Sequence, residues 1–89
     1  EWLPFSESRM NQLGYKYLQG GDVEAAIELF KLNVEAYPNS ANVYDSLGEG
    51  YLKAGNNELA IDNYQKSLTL NPQNQNAAKL LERLKTAKE

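Results

Sequence analysis

The 89-residue chain contains no cysteine and no histidine. The first absence removes disulfides, thiolate nucleophiles and thiolate-bound zinc; the second removes the usual general base and the commonest metal ligand. No apolar run approaches the roughly 20 residues that a membrane-spanning helix needs, and the first residues do not read as a signal peptide. Neither sign of charge dominates: 9 Lys plus Arg against 12 Asp plus Glu leave a net charge of −3. The broad basic patch of a phosphate-binding surface is therefore not expected. No nucleophile stands beside a base, and the Gly20–Gly21 pair reads as helix punctuation rather than a phosphate loop. We expect no catalysis, no cofactor, no metal and no nucleic acid. With 42% hydrophobic and 24% charged residues the composition is that of one small globular domain.

What the sequence does contain is a repeat. Shifted by 34 residues, the chain pairs Leu13 with Leu47, Gly14 with Gly48, Tyr17 with Tyr51 and Leu18 with Leu52. Gly21 meets Gly55, Glu24 meets Glu58, Ala26 meets Ala60, Ile27 meets Ile61 and Pro38 meets Pro72, and Phe30 faces Tyr64. The nine identities are several times the roughly two expected from average residue usage.

Each copy reads as two helices. Ser6 can cap a helix carrying Met10, Leu13 and Tyr17 at helical spacing, closed by Gly20 and Gly21. Asp22 can cap a second, with Ala26, Ile27, Phe30 and Val34 on one stripe, which must stop before Pro38. Ser40 restarts the cycle with Val43, Tyr44, Leu47 and Tyr51, and Asn56 or Asn57 can cap a fourth helix bearing Ala60, Ile61, Tyr64 and Leu68. Glycine costs a helix about 1 kcal/mol relative to alanine. Gly14 and Gly48, with Ala26 and Ala60, therefore predict close crossing of the two helices in each copy. Gly50 has no glycine counterpart and no such reason at this level.

Residues 75–89 lose the motif, with Glu82 and Lys85 where glycine and tyrosine stood. They read as one amphipathic helix, Ala77, Ala78, Leu81, Leu84 and Ala87 inward and Lys79, Glu82, Arg83, Lys85 and Lys88 outward, closing the stack with a polar face.

A 34-residue two-helix unit with Leu13, Gly14, Tyr17, Ala26, Phe30 and Pro38, repeated as Leu47, Gly48, Tyr51, Ala60, Tyr64 and Pro72, resembles the tetratricopeptide repeat. Met10 and Tyr44 stand in place of its usual tryptophan. The resemblance implies an all-α fold, a right-handed superhelical α-solenoid of five helices: an apolar N-terminal segment at 1–6, repeats at 7–40 and 41–74, and a capping helix at 75–89. It also implies a scaffold that binds a peptide or partner protein on its concave face.

On that face we expect Asn11, Tyr15 and Leu18 from the first copy, Asn42, Asp45, Glu49, Leu52 and Lys53 from the second, and Lys79 and Arg83 from the last helix. Some members of the family hold a chaperone's C-terminal carboxylate with Lys, Arg and Asn on this face. Asn11 fits in part, but Tyr15, Asp45 and Glu49 stand where cations or amides are needed. Two carboxylates repel an acidic tail, so chaperone binding is not carried over, and a ligand with a positive segment fits better.

A second apolar stripe, Ala25, Leu29, Leu32 and Ala36, calls for cover. The cover is either the chain's own Trp2 and Phe5, or an external partner: a second copy, making a homodimer, or a missing N-terminal domain. The stretches Phe30 to Pro38 and Ser40 to Glu49 resemble repeats at the C-terminal end of bacterial serine hydrolases, which with the lack of an initial Met suggests a piece of a longer chain. No G-x-S-x-G motif is present.

Overall fold

The structure, a computed structural model, describes residues 6–88, with side chains described through Thr86. Trp2 and Phe5, and the side chains of Ala87 and Lys88, lie outside the described residues. Five helices follow in order: α1 (Glu7–Gln19), α2 (Val23–Ala36), α3 (Ala41–Lys53), α4 (Asn57–Leu70) and α5 (Gln75–Lys88).

The local signals account for the boundaries. Ser6 Oγ accepts from the Arg9 N–H at 3.2 Å, Asp22 Oδ1 from Ala25 at 3.1 Å and Asn56 Oδ1 from Leu59 at 3.2 Å, each satisfying an otherwise orphaned helix donor. Asn56, rather than Asn57, is thus the cap of α4. Asn74 Oδ1 does the same for α5, accepting from Ala77 at 3.2 Å. Ser40 stands at the head of α3 but its hydroxyl makes no cap, donating instead to Glu7 Oε2 at 2.7 Å. Gly21 and Gly55 turn the chain at φ +92° and +83°, a region that side chains rarely enter. Tyr37 ends α2 just before Pro38.

Helices α1 and α2 pack as one hairpin and α3 and α4 as the next; α3 seats against α2, and α5 against α4. The odd-numbered helices line one side of this short solenoid. Glycine sets the spacing. A Cβ at Gly14 would lie 2.3 Å from Phe30 Cε1, and one at Gly48 would lie 3.0 Å from Tyr64 Cε1. Gly50 gains a reason the repeat pattern did not supply. Its Cβ would stand 3.1 Å from Ile27 Cγ1 and 3.2 Å from Phe30 Cδ2, so it admits α3 onto α2.

The core follows the repeat. Ala26, Phe30, Leu18 and Leu47 form one buried cluster; Ala60, Tyr64, Ala77 and Leu81 form the next, and Tyr51 packs against both. Two polar side chains are buried at the same repeat position. Asn33 Nδ2 donates to the Glu7 carbonyl at 3.0 Å, and Ser67 Oγ donates to the Ala41 carbonyl at 2.8 Å, each tying the second helix of a hairpin to the start of the first.

Several expected orientations are corrected. Leu18, placed in the groove by the sequence pattern, is only 8% exposed and belongs to the first core cluster, and Leu52, its repeat equivalent, is half-buried against the second. Tyr17, expected in the core, is 43% exposed. The reason is positional: Leu47 and Tyr51 bury themselves against the preceding hairpin, whereas among the described residues no hairpin precedes their equivalents Leu13 and Tyr17, which line a shallow depression with Lys16, Gly20 and Asp22. On α5, Ala78 faces solvent and Leu80 packs inward.

The two ends predict unequal costs. Leu47→Ala should destabilise by about 3 kcal/mol, and Leu13→Ala, at the same repeat position but only half-buried, by less than half of that; equilibrium urea unfolding of the two variants checks the ratio.

Candidate interaction surface

Residues 34 apart on α1, α3 and α5 fall into rows across the inner side: Asn11, Asp45 and Lys79 in one, Tyr15, Glu49 and Arg83 in the next. Asn11, Tyr15, Asp45 and Glu49 are half-buried, and Asn42, Lys53, Lys79 and Arg83 are exposed.

Hydrogen bonds knit the rows across neighbouring helices. Tyr15 Oη donates to Glu49 Oε1 at 2.9 Å, and Ser46 Oγ donates to Asn11 Oδ1, joining α1 to α3 twice. Asn76 Nδ2 donates to Asp45, 3.3 Å from Oδ1 and 3.4 Å from Oδ2, joining α3 to α5. These bonds hold the side chains in place before any ligand arrives, which lowers the ordering cost of binding. Sequence reasoning named Asn11, Tyr15, Asp45 and Glu49 but missed Ser46, a small buried residue that no periodic signal marks.

The electrostatics are those of a negative strip. Burial raises the Asp45 carboxyl above its ordinary 3.8, Glu49 one turn away raises it further, and the Asn76 and Asn74 amides pull the other way. The Tyr15 phenol is pushed up to about 12, mainly by burial; its bond with Ser46 lowers it, while Glu49 and Asp45 raise it. At neutral pH it is a hydrogen-bond donor. Toward α5 the sign changes, with Lys79 and Arg83 flanking a shallow depression that Glu82 also lines. Such a surface can offer hydrogen bonds and charge. Among the described residues no group of three or more Asp or Glu is placed to hold a metal ion.

The second surface, on α2, is partly covered. Ala25, Leu29 and Ala36 are half-buried, and Leu32 is 52% exposed.

Residues 41–74 match the sequence model of the tetratricopeptide repeat family. No curated protein matches the chain by sequence. Among solved structures, the second tetratricopeptide-repeat domain of Spaghetti (RPAP3) bound to the HSP90 peptide SRMEEVD superposes with a TM-score of 0.84 at 20% identity, covering 90% of this chain and 74% of that one. The first such domain of the same protein, bound to the same peptide, gives 0.84 at 17% identity, covering 91% and 66%. A tetratricopeptide repeat domain protein from Salinibacter ruber, solved by NMR, gives 0.71 at 25% identity, covering 98% and 87%.

The raised Asp45 value has a sign that can be tested. A folded-state pKa above 3.8 means that the ionised carboxylate costs stability, a cost that is absent below pH 3.8 and develops as the pH rises through the folded value. Asp45→Asn should raise the urea midpoint at neutral pH and leave it nearly unchanged below pH 3.8.

Proposed function

We propose, from its tetratricopeptide-repeat fold, that this chain is a non-catalytic interaction module that binds a peptide or partner protein along the inner face of α1, α3 and α5. One observation carries the reading. Side chains at corresponding repeat positions form a continuous row of donors and acceptors, fixed by the Tyr15–Glu49, Ser46–Asn11 and Asn76–Asp45 bonds yet still offering groups to solvent. An extended peptide is a matching ligand, because its main chain presents donors and acceptors at regular intervals. The two Spaghetti domains of the same fold carry an HSP90 peptide, which supports the class of function. It does not extend to that peptide's acidic end, because Asp45 and Glu49 stand on this face. Asn11, Tyr15, Asn42, Asp45, Glu49, Lys53, Lys79 and Arg83 are the proposed contacts.

The reading is tested by selecting binders from a displayed random-peptide library and mapping the strongest by amide chemical shifts. Perturbations concentrated on α1, α3 and α5, with binding weakened about tenfold by Asn11→Ala, are expected. Perturbations confined to α2 and α4 would move the site off the inner face.

A second reading concerns the other side. Leu32, 52% exposed, with Leu29 beside it one turn earlier, favours a structural role in which α2 meets a second copy of the chain. The local likeness to repeats of bacterial serine hydrolases extends that role to an appendage of a larger enzyme, docked through Ala25, Leu29, Leu32 and Ala36. Light scattering across a wide concentration range should show a dimer that Leu29→Lys with Leu32→Lys abolishes; a monomer at every concentration removes self-association.

A further inference from the structure

In each hairpin an aromatic ring lies over a glycine, Phe30 over Gly14 and Tyr64 over Gly48. The Phe30 ring also meets Tyr15 edge-on, with centroids 5.1 Å apart and planes at 63°, so this ring reaches toward the inner face. One repeat later Tyr15 is replaced by Glu49, and the ring is a tyrosine whose hydroxyl extends in the same direction. That hydroxyl is fully buried and has no hydrogen-bond partner among the described residues. Buried polar groups are nearly always paired, because leaving one unpaired forfeits its hydration without return. Glu49 holds the repeat position of Tyr15, whose ring meets Phe30, so by the same packing the Tyr64 ring, seated on Gly48, runs toward the Glu49 side of α3, and Asp45 and Glu49 both act on its hydroxyl electrostatically.

The carboxylates are themselves incomplete. They stand one turn apart on α3, a like-charge spacing that disfavours the helix, and among the described residues neither has a Lys or Arg within ion-pairing distance. Glu49 accepts from Tyr15, and Asp45 accepts long contacts from Asn76 at 3.3 and 3.4 Å, with the Asn74 amide also lowering its pKa. A carboxylate has about four acceptor positions, so most remain open. Two negative groups on α3 and an unpaired phenol oxygen on α4, which packs against it, suit a group that is positive and rich in donors.

We propose that the inner face takes a basic peptide, with an arginine guanidinium seated between Asp45 and Glu49 and donating a further N–H to the Tyr64 hydroxyl oxygen. This rests on the inner face being the peptide groove. Arginine fits because its planar fork of five donors can serve two carboxylates and a third acceptor at once, which an ammonium does less well. The guanidinium takes the open acceptor positions of the two carboxylates and turns its remaining N–H inward to the hydroxyl. Lys79 and Arg83 on the next helix repel a second cation there, so the positive residue is confined to the stretch over α3.

The test uses three dye-labelled alanine–serine peptides that differ only at one central residue: arginine, its uncharged analogue citrulline, or glutamate. The arginine peptide should shift amides around Asp45, Glu49 and Tyr64. It should bind at least tenfold tighter than the citrulline form, a factor equal to about 1.4 kcal/mol. Asp45→Asn with Glu49→Gln, which keeps the shapes, should remove that preference, whereas Asp62→Asn on the exposed outer side should not. Tyr64→Phe separates binding from folding: it should raise the urea midpoint while weakening the arginine peptide several-fold. Equal binding to the double variant would reduce the effect to general attraction by a net charge of −3 and overturn the site, as would unchanged binding by Tyr64→Phe. A glutamate peptide preferred on the same helices would overturn the ligand class and leave the groove intact. No inner-face shifts with any of the three, and none with library-selected peptides, would overturn both.

Discussion

The contact on which the rest of this structure depends is an aromatic ring lying flush on a helical glycine. Phe30 on Gly14 and Tyr64 on Gly48 set how closely the two helices of each hairpin approach, and interiors as dense as those of proteins do not forgive an extra methyl group at such a place. Each ring is completely buried. It fills the hairpin with large apolar volume and in the first copy also meets Tyr15 edge-on, while in the second the charges of Asp45 and Glu49 act on its hydroxyl. Core and candidate site are therefore not separate parts. The spacing that closes the hairpin also decides which groups are presented along the groove.

Around these rings the chain manages with a thin core. A chain of this length buries only about 60–65% of the surface its unfolded form exposes, and here that burial is divided between two clusters linked by Tyr51. Polar bonds of long sequence separation supply the joints. Asn33 to the Glu7 carbonyl and Ser67 to the Ala41 carbonyl fasten each hairpin at its open end. The Ser40 hydroxyl leaves its expected cap to donate to Glu7, a trade of one local bond for one that joins the two repeats. On the inner face Tyr15–Glu49, Ser46–Asn11 and Asn76–Asp45 do the same between successive odd helices. Side chains tied by such bonds are held in fixed orientations across the joints between hairpins.

Much of this was legible in one dimension. Nine identities at a spacing of 34 predicted the hairpins, Ser6, Asp22 and the Asn56–Asn57 pair marked helix starts, and Gly21 and Gly55 their turns. Helical periodicity marked Asn11, Tyr15, Asp45 and Glu49 beside the core stripe, and the structure shows each half-buried and hydrogen-bonded to a neighbouring odd-numbered helix. The errors had a common cause. Leu13 and Tyr17 match residues that are buried one repeat later, but a repeat pattern records a residue's position within its unit and not whether a neighbouring unit is there to cover it. Leu18 and Leu52 were misassigned because a stripe read from one helix cannot show which of its flanks the next hairpin will meet.

The sequence by itself determined the units: where each helix begins and ends, which residues are small enough for a close crossing, and that neither cysteine nor histidine chemistry is available. These are local matters of capping, backbone freedom and side-chain volume, settled by residues a few positions apart. Only the tertiary structure decided how the units face one another. It gave Gly50 its reason in the seat of α3 on α2, paired Ser46 with Asn11 and Asn76 with Asp45, and left the Tyr64 hydroxyl buried without a partner among the described residues. Those facts depend on distances between groups 20 or more residues apart in the chain, in hairpins whose relative placement emerges only when every buried face has found its cover.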